Sequence, residues 1–152
     1  MSYPQQQRGG YDRSAAPAAH IDTSDVRFGA NMPELLFADI AQEKARTIAQ
    51  AGGGRKNKST QLRKFYDELV MWQEKIALEQ NPERRAEHYK EHAPFIKMLS
   101  AKVAYARGRE HVDPCFEKLF THVIRQIDSP ETLKHAKLFM EAFMGFYKAE
   151  EK

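Results

Sequence analysis

This sequence predicts an all-α fold, a compact bundle of about five helices behind a disordered N-terminal tail. Three observations predict it. From Pro33 onward apolar residues recur at intervals of three and four, the spacing that lines one face of a helix. No run of strict alternation between apolar and polar residues interrupts that pattern, so no strand is expected. Gly, Asn-Pro, Asp-Pro and Ser-Pro signals separate the periodic runs, as turns and helix starts require. The chain has 152 residues, 41% hydrophobic and 30% charged, enough for one core in a single globular domain.

Residues 1–32 are rich in Gln, Gly, Ser, Ala and Pro and lack periodicity. They offer too little apolar surface to offset the entropy of ordering, so they read as a flexible tail. Its Arg8, Gly9, Gly10, Tyr11 and Arg13 could brush nucleic acid, though such a composition is ordinarily just solvated. Residues 33–152 form the bundle domain. Pro33 suits a first helical position, and Leu35, Leu36, Phe37, Ile40, Ala41, Ala45 and Ile48 give the first helix its apolar face. Gly52-Gly53-Gly54 stops it. Ser59 or Thr60 is expected to cap the second helix, which carries Leu62, Phe65, Leu69, Trp72 and Ile76. Asn81-Pro82 ends that helix and opens a third over residues 83–107, with a break expected at Pro94. Asp113-Pro114 starts the fourth, with Phe116, Leu119, Phe120, Val123, Ile124 and Ile127. Ser129-Pro130-Glu131 starts the fifth. Its stripe of Phe139, Met140, Phe143, Met144, Phe146 and Tyr147 is wider than one face, and the surplus suggests a surface buried against another subunit.

Positive charge is concentrated rather than dispersed. Residues 55–64 hold Arg55, Lys56, Lys58, Arg63 and Lys64 and no acid; residues 97–109 hold Lys97, Lys102, Arg107 and Arg109 and again no acid. The net charge is only +3, so everything outside these stretches sums to −6. Signs are normally interspersed on a surface kept soluble, and a one-signed patch attracts a polyphosphate. Short turns pack helices antiparallel, so the end of the third segment should lie beside the start of the second helix. The two stretches are then expected to merge at one end of the bundle. Tyr105, interleaved there, could stack on a base or donate to a phosphate oxygen.

Other segments resemble chemical motifs. Gly52-Gly53-Gly54-Arg55-Lys56-Asn57-Lys58-Ser59 departs by one residue from a phosphate-binding P-loop, but that loop must follow a strand, and here it follows a helix. His88-Tyr89-Lys90-Glu91-His92 spells an H-x-x-E-H zinc-peptidase arrangement, yet Pro94 follows at once and no third ligand is evident. A metal-dependent hydrolase on His88, Glu91 and His92 is therefore the weaker alternative. Cys115, the single cysteine, follows a helix start where the dipole could lower its pKa; a packing role is the expected one. One cysteine cannot form an internal disulfide, which fits a cytoplasmic protein. No apolar window is long enough to span a membrane, and the polar N-terminus is not a secretory signal. No cofactor is expected.

Ser59-Thr60-Gln61-Leu62-Arg63-Lys64-Phe65-Tyr66 resembles the signature opening the main helix of the small subunit of type III-A CRISPR effector complexes. Lys97, Lys102, Ala104, Tyr105 and Arg107 are similar to that family's Lys-x-Ala-Tyr stretch, and Phe139, Phe143, Phe146, Tyr147 and Lys148 to its aromatic C-terminal helix. The resemblance covers residues 35–149. It implies a five-helix, noncatalytic protein whose partners are guide RNA, target RNA, other effector subunits and copies of itself. It implies RNA contacts from Arg63, Lys64, Lys97, Lys102 and Arg107; charge alone adds Lys56 and Lys58. Arg109, sharing a helical face with Lys102, and Tyr105, able to stack or donate to a phosphate oxygen, complete the set. The alternative from another class is a helical adaptor for an acidic protein.

Overall fold

The structure, a computed structural model, describes residues 20–151. Six α-helices lie among them: α1 (Ala41–Gly52), α2 (Ser59–Ala77), α3 (Pro82–Lys97), α4 (Leu99–Gly108), α5 (Pro114–Arg125) and α6 (Pro130–Glu150). None of the described residues forms a strand. α3 and α4 are the two halves of the third expected helix, so the five-helix reading holds with one member interrupted. The interruption falls at Met98, four residues beyond the expected break at Pro94. Pro94 removes only its own amide donor, and the helix continues until Met98, whose N–H bonds back to the Pro94 carbonyl at 3.1 Å.

The helix starts show how well local chemistry was written. Asn81 accepts from the Arg84 amide at 3.0 Å, and Asp113 accepts from the Phe116 amide at 3.1 Å. Each precedes a proline at the first helical position, where a missing N–H costs nothing. Ser129 accepts from the Thr132 amide at 3.1 Å, while Ser129 N–H donates to the Thr132 hydroxyl at 3.0 Å. That reciprocal pair caps α6. The expected cap at Ser59 or Thr60 is not made: Lys58 is the N-cap and no side chain bonds there. Ser59 instead faces Glu151 and helps hold that carboxyl's pKa below its ordinary value. The start from Pro33 is also modified. One π-turn, Leu36–Ile40, precedes α1, with the Ile40 amide reaching the Leu35 carbonyl at 3.1 Å. Gly53 terminates α1 at φ +60°, a conformation that glycine adopts without a side-chain clash.

α6 packs against α1 and α2, while α5 packs against α4. Phe116, Phe120, Phe139 and Phe143 are fully buried, with Phe116 and Phe120 stacked at 5.7 Å and Phe65 of α2 tilted onto both. Truncating any one of these rings would cost about 3–5 kcal/mol. Of the aromatic stripe, Phe139, Met140, Phe143 and Tyr147 are buried, and Met144 and Phe146 pack half-buried against the same core.

Residues 21–31, assigned by composition to the tail, form a strap across α5 and α6. Ile21, Val26 and Phe28 are buried, and Phe28 meets Phe139 at 6.1 Å. Gln126 Nε2 donates to the Val26 carbonyl at 2.6 Å, Lys118 Nζ to the Ile21 carbonyl at 2.9 Å, and the Gly29 amide to His135 Nδ1 at 3.2 Å. An extended strap held by bonds from other helices has no internal period, which is why the sequence did not announce it. The remaining tail residues named above, Arg8 to Arg13, lie outside the described residues.

Candidate nucleic-acid interface

The site begins with a residue that carries no charge. Asn57 sits between Lys56 and Lys58 of the first basic stretch at φ +62°, a left-handed conformation that asparagine tolerates better than most residues. Its amide donates to the His111 carbonyl at 2.9 Å. Its Nδ2 donates to the Ile48 carbonyl at 3.0 Å and to Asp113 Oδ1 at 2.9 Å, and its Oδ1 accepts from the Asp113 amide at 2.9 Å. The Tyr147 hydroxyl donates to its carbonyl. Asn57 and Asp113 are 1% and 3% exposed, so these bonds are shielded from water. The clasp ties the loop after α1 to the loop after α4, with α6 as its floor. Burial pushes the Tyr147 hydroxyl up to about 12, keeping it a donor.

The clasp brings the loop of residues 53–58 against residues 111–113, which follow the second basic stretch after Glu110. A second junction lies further along: Lys102 of α4 meets Glu68 of α2 at 2.7 Å. Around these junctions the candidate cations fall into three environments. Arg63, Lys102 and Arg107 have carboxylate partners, Asp67 at 3.7 Å, Glu68 at 2.7 Å and Glu117 at 2.9 Å. Lys97 is half-buried, and its ammonium donates to the Ile124 carbonyl at 2.8 Å and to the Ile127 carbonyl. There it caps the C-terminal end of α5, and desolvation lowers its pKa. Lys56, Lys58, Lys64 and Arg109 have no carboxylate partner among the described residues.

Lys58 donates to the Gly54 carbonyl at 2.9 Å, leaving two ammonium protons. Arg109 donates to the Tyr105 hydroxyl at 3.1 Å and lies 5.9 Å from that ring's centre. Tyr105 is 66% exposed, so a cation and an aromatic face stand together in solvent, as nucleic-acid surfaces use them. Lys56 and Lys58 border a cavity of about 490 Å³ that Glu150 and Glu151 also line. Those two acids are engaged by Arg46 at 3.8 Å and Lys148 at 3.2 Å.

The other motifs acquire plain surroundings. His92 Nδ1–H donates to the His88 carbonyl at 2.8 Å, and its ring lies 5.4 Å from Trp72. Among the described residues no group of three His, Cys, Asp or Glu side chains is arranged to hold a metal. The glycine-rich segment joins α1 to α2. Cys115 is buried, and desolvation first, then Asp113, push its thiol up to about 11, opposite to the dipole's effect. Sequence reasoning missed Asn57 and Asp113 as a joint. The signal available was an asparagine three residues after a glycine run, where a left-handed residue is needed.

The described residues thus define a small, basic, all-α protein in which cations from two remote stretches lie toward one end of the bundle. Residues 36–152 match the family model described as Csm2 Type III-A, and the chain belongs to that family. The protein is thus a small subunit of a type III-A CRISPR effector complex, in a family of noncatalytic subunits, and its partners are the other subunits of that complex. Comparison with curated proteins and with solved structures gave no match. No helix among the described residues is long and apolar enough to cross a membrane.

Proposed function

We propose that the clasped basic end holds the phosphates of guide and target RNA without reading bases. Copies of the chain stack along the RNA, in the cytoplasm, and none performs chemistry. Base pairing between guide and target supplies specificity, so a backbone-only grip is what a guide-directed complex requires. The observation that carries this reading is the Asn57–Asp113 clasp, which holds the first basic stretch against residues 111–113, just beyond the end of the second. Within it, Lys56, Lys58, Lys64, Tyr105 and Arg109 take the principal contacts. Arg63, Lys102 and Arg107 contribute by exchanging a carboxylate for a phosphate. Lys97 is set aside, because its ammonium is spent on α5 carbonyls.

The test is the full chain carrying Lys58→Glu with Arg109→Glu, titrated against single-stranded RNA at several salt concentrations. Each lost phosphate contact removes about 0.7 from the slope of log affinity against log salt. The double variant is expected to bind at least about tenfold more weakly, with a slope shallower by about 1.4. Equal binding by variant and parent overturns the assignment. An adaptor for an acidic protein is the competing reading, favoured by exposed Phe95 of α3, Tyr105 of α4 and Met98 between them. Salt-sensitive binding of an acidic polypeptide with no response to RNA would establish it.

A further inference from the structure

A cleft of about 290 Å³ lies where the strap crosses α5, and the basic end does not account for it. Thr23 of the strap and Lys118, Thr121, His122 and Arg125 of α5 line it, together with Glu117. Positions 118, 122 and 125 share one helical face. Glu117 is the acid of the lining, and its carboxylate is engaged by Arg107 Nε at 2.9 Å. On the strap, Asp22 accepts from the Ser24 amide at 2.9 Å. Lys118 Nζ spends one proton on the Ile21 carbonyl and keeps two. His122 Nε2 donates to the Val26 carbonyl at 2.7 Å, so the ring holds the cleft's wall in place. Arg125 is exposed and has no carboxylate partner among the described residues.

We propose that this cleft is a second phosphate site, taking a phosphodiester of the same RNA strand. The inference rests on the RNA-binding reading above and extends its path: the Arg107–Glu117 pair links the basic end to the mouth of the cleft. A guanidinium fork matches two phosphate oxygens, the ammonium adds a point charge, and the threonine hydroxyls supply neutral donors. None of these groups discriminates between bases, in keeping with a sequence-blind grip.

The full chain is titrated with fluorescein-labelled oligouridine in rising potassium chloride, comparing parent, Arg125→Gln, Arg125→Lys, Thr121→Val and the Lys58→Glu/Arg109→Glu variant. Arg125→Gln is expected to weaken binding about three- to tenfold and lower the salt slope by about 0.7. Arg125→Lys keeps the charge but loses the fork, so it is expected to fall between the parent and Arg125→Gln, with the parent's salt slope. Thr121→Val supplies an independent measurement should Arg125→Gln lower stability, and it is expected to weaken binding while leaving the slope unchanged. Parent-like binding by both Arg125→Gln and Thr121→Val, with binding lost in the basic-end variant, overturns the cleft and spares the earlier reading. The reverse pattern sinks the basic end and keeps the cleft, and failure of the parent to bind RNA sinks both. Potassium phosphate is expected to displace RNA from the parent more than chloride does at matched ionic strength, and to lose that excess in Arg125→Gln, because it competes for the same donors. Inorganic phosphate that binds at Arg125 and leaves RNA affinity unchanged makes the ligand a free phosphate and overturns the RNA version.

Discussion

Asn57 concentrates more structural consequence than any lysine around it. Its side chain satisfies a carbonyl of α1 and both partners on Asp113, and removing it leaves buried groups unpaired at about 1–3 kcal/mol each. Asn57→Ala is expected to lower stability by about 2–4 kcal/mol in chemical denaturation. Alanine also tolerates φ +62° poorly, so Asn57→Gly should recover part of the loss. Charge and role separate at this scale. Lys97 belongs to a basic stretch yet caps α5, whereas Asn57 bears no charge and orders its neighbours. A residue list drawn from charge could not tell them apart, because a lysine's partner is fixed by the tertiary fold. Cys115 gives a second test: in the folded protein its thiol should resist a disulfide reagent at pH 8, and react only on unfolding.

At the scale of elements, helix ends were more legible than helix interiors. Asn81, Asp113 and Ser129 act as caps as their types and following prolines required. Pro94 is the instructive exception. α3 passes through it and ends at Lys97, because one missing hydrogen bond is small beside the burial of Tyr89 and Ile96 on either side. Pro94→Ala restores a donor within the helix and is expected to raise stability by about 1–3 kcal/mol in a thermal or denaturant melt. A loss instead would show that the kink is needed to seat Leu99 and Val103 in the core. The strap illustrates the opposite limit. Its Val26 and Phe28 are placed by Gln126, a residue about a hundred positions away, and no local pattern encodes such a dependence.

For the molecule as a whole, the bundle was readable because its core is periodic, and the basic end was readable in part. That the two cationic stretches approach follows from antiparallel helices and short turns. Which cations remain free does not, since Glu68 and Glu117 lie on other helices. The buried titrating groups set a pH limit. Cys115 is raised from 9.0 to about 11, and Tyr147 from 10.0 to about 12. A raised native pKa gives stability that is complete below the unfolded value and is lost as pH climbs to the native one. The melting temperature should therefore hold near neutrality and fall steadily above pH 9. Tyr147→Phe should weaken that fall above pH 10, at the cost of the hydroxyl's bond to Asn57.

Because the Asn57–Asp113 bonds are sealed from solvent, dissolved ions cannot reach them, although they compete freely for the lysines outside. Under the RNA grip proposed above, concentrated salt should strip the polyanion away while leaving the empty cradle in its loaded shape. Return to dilute buffer then finds a docking surface already assembled, and recapture is limited by encounter rather than by refolding.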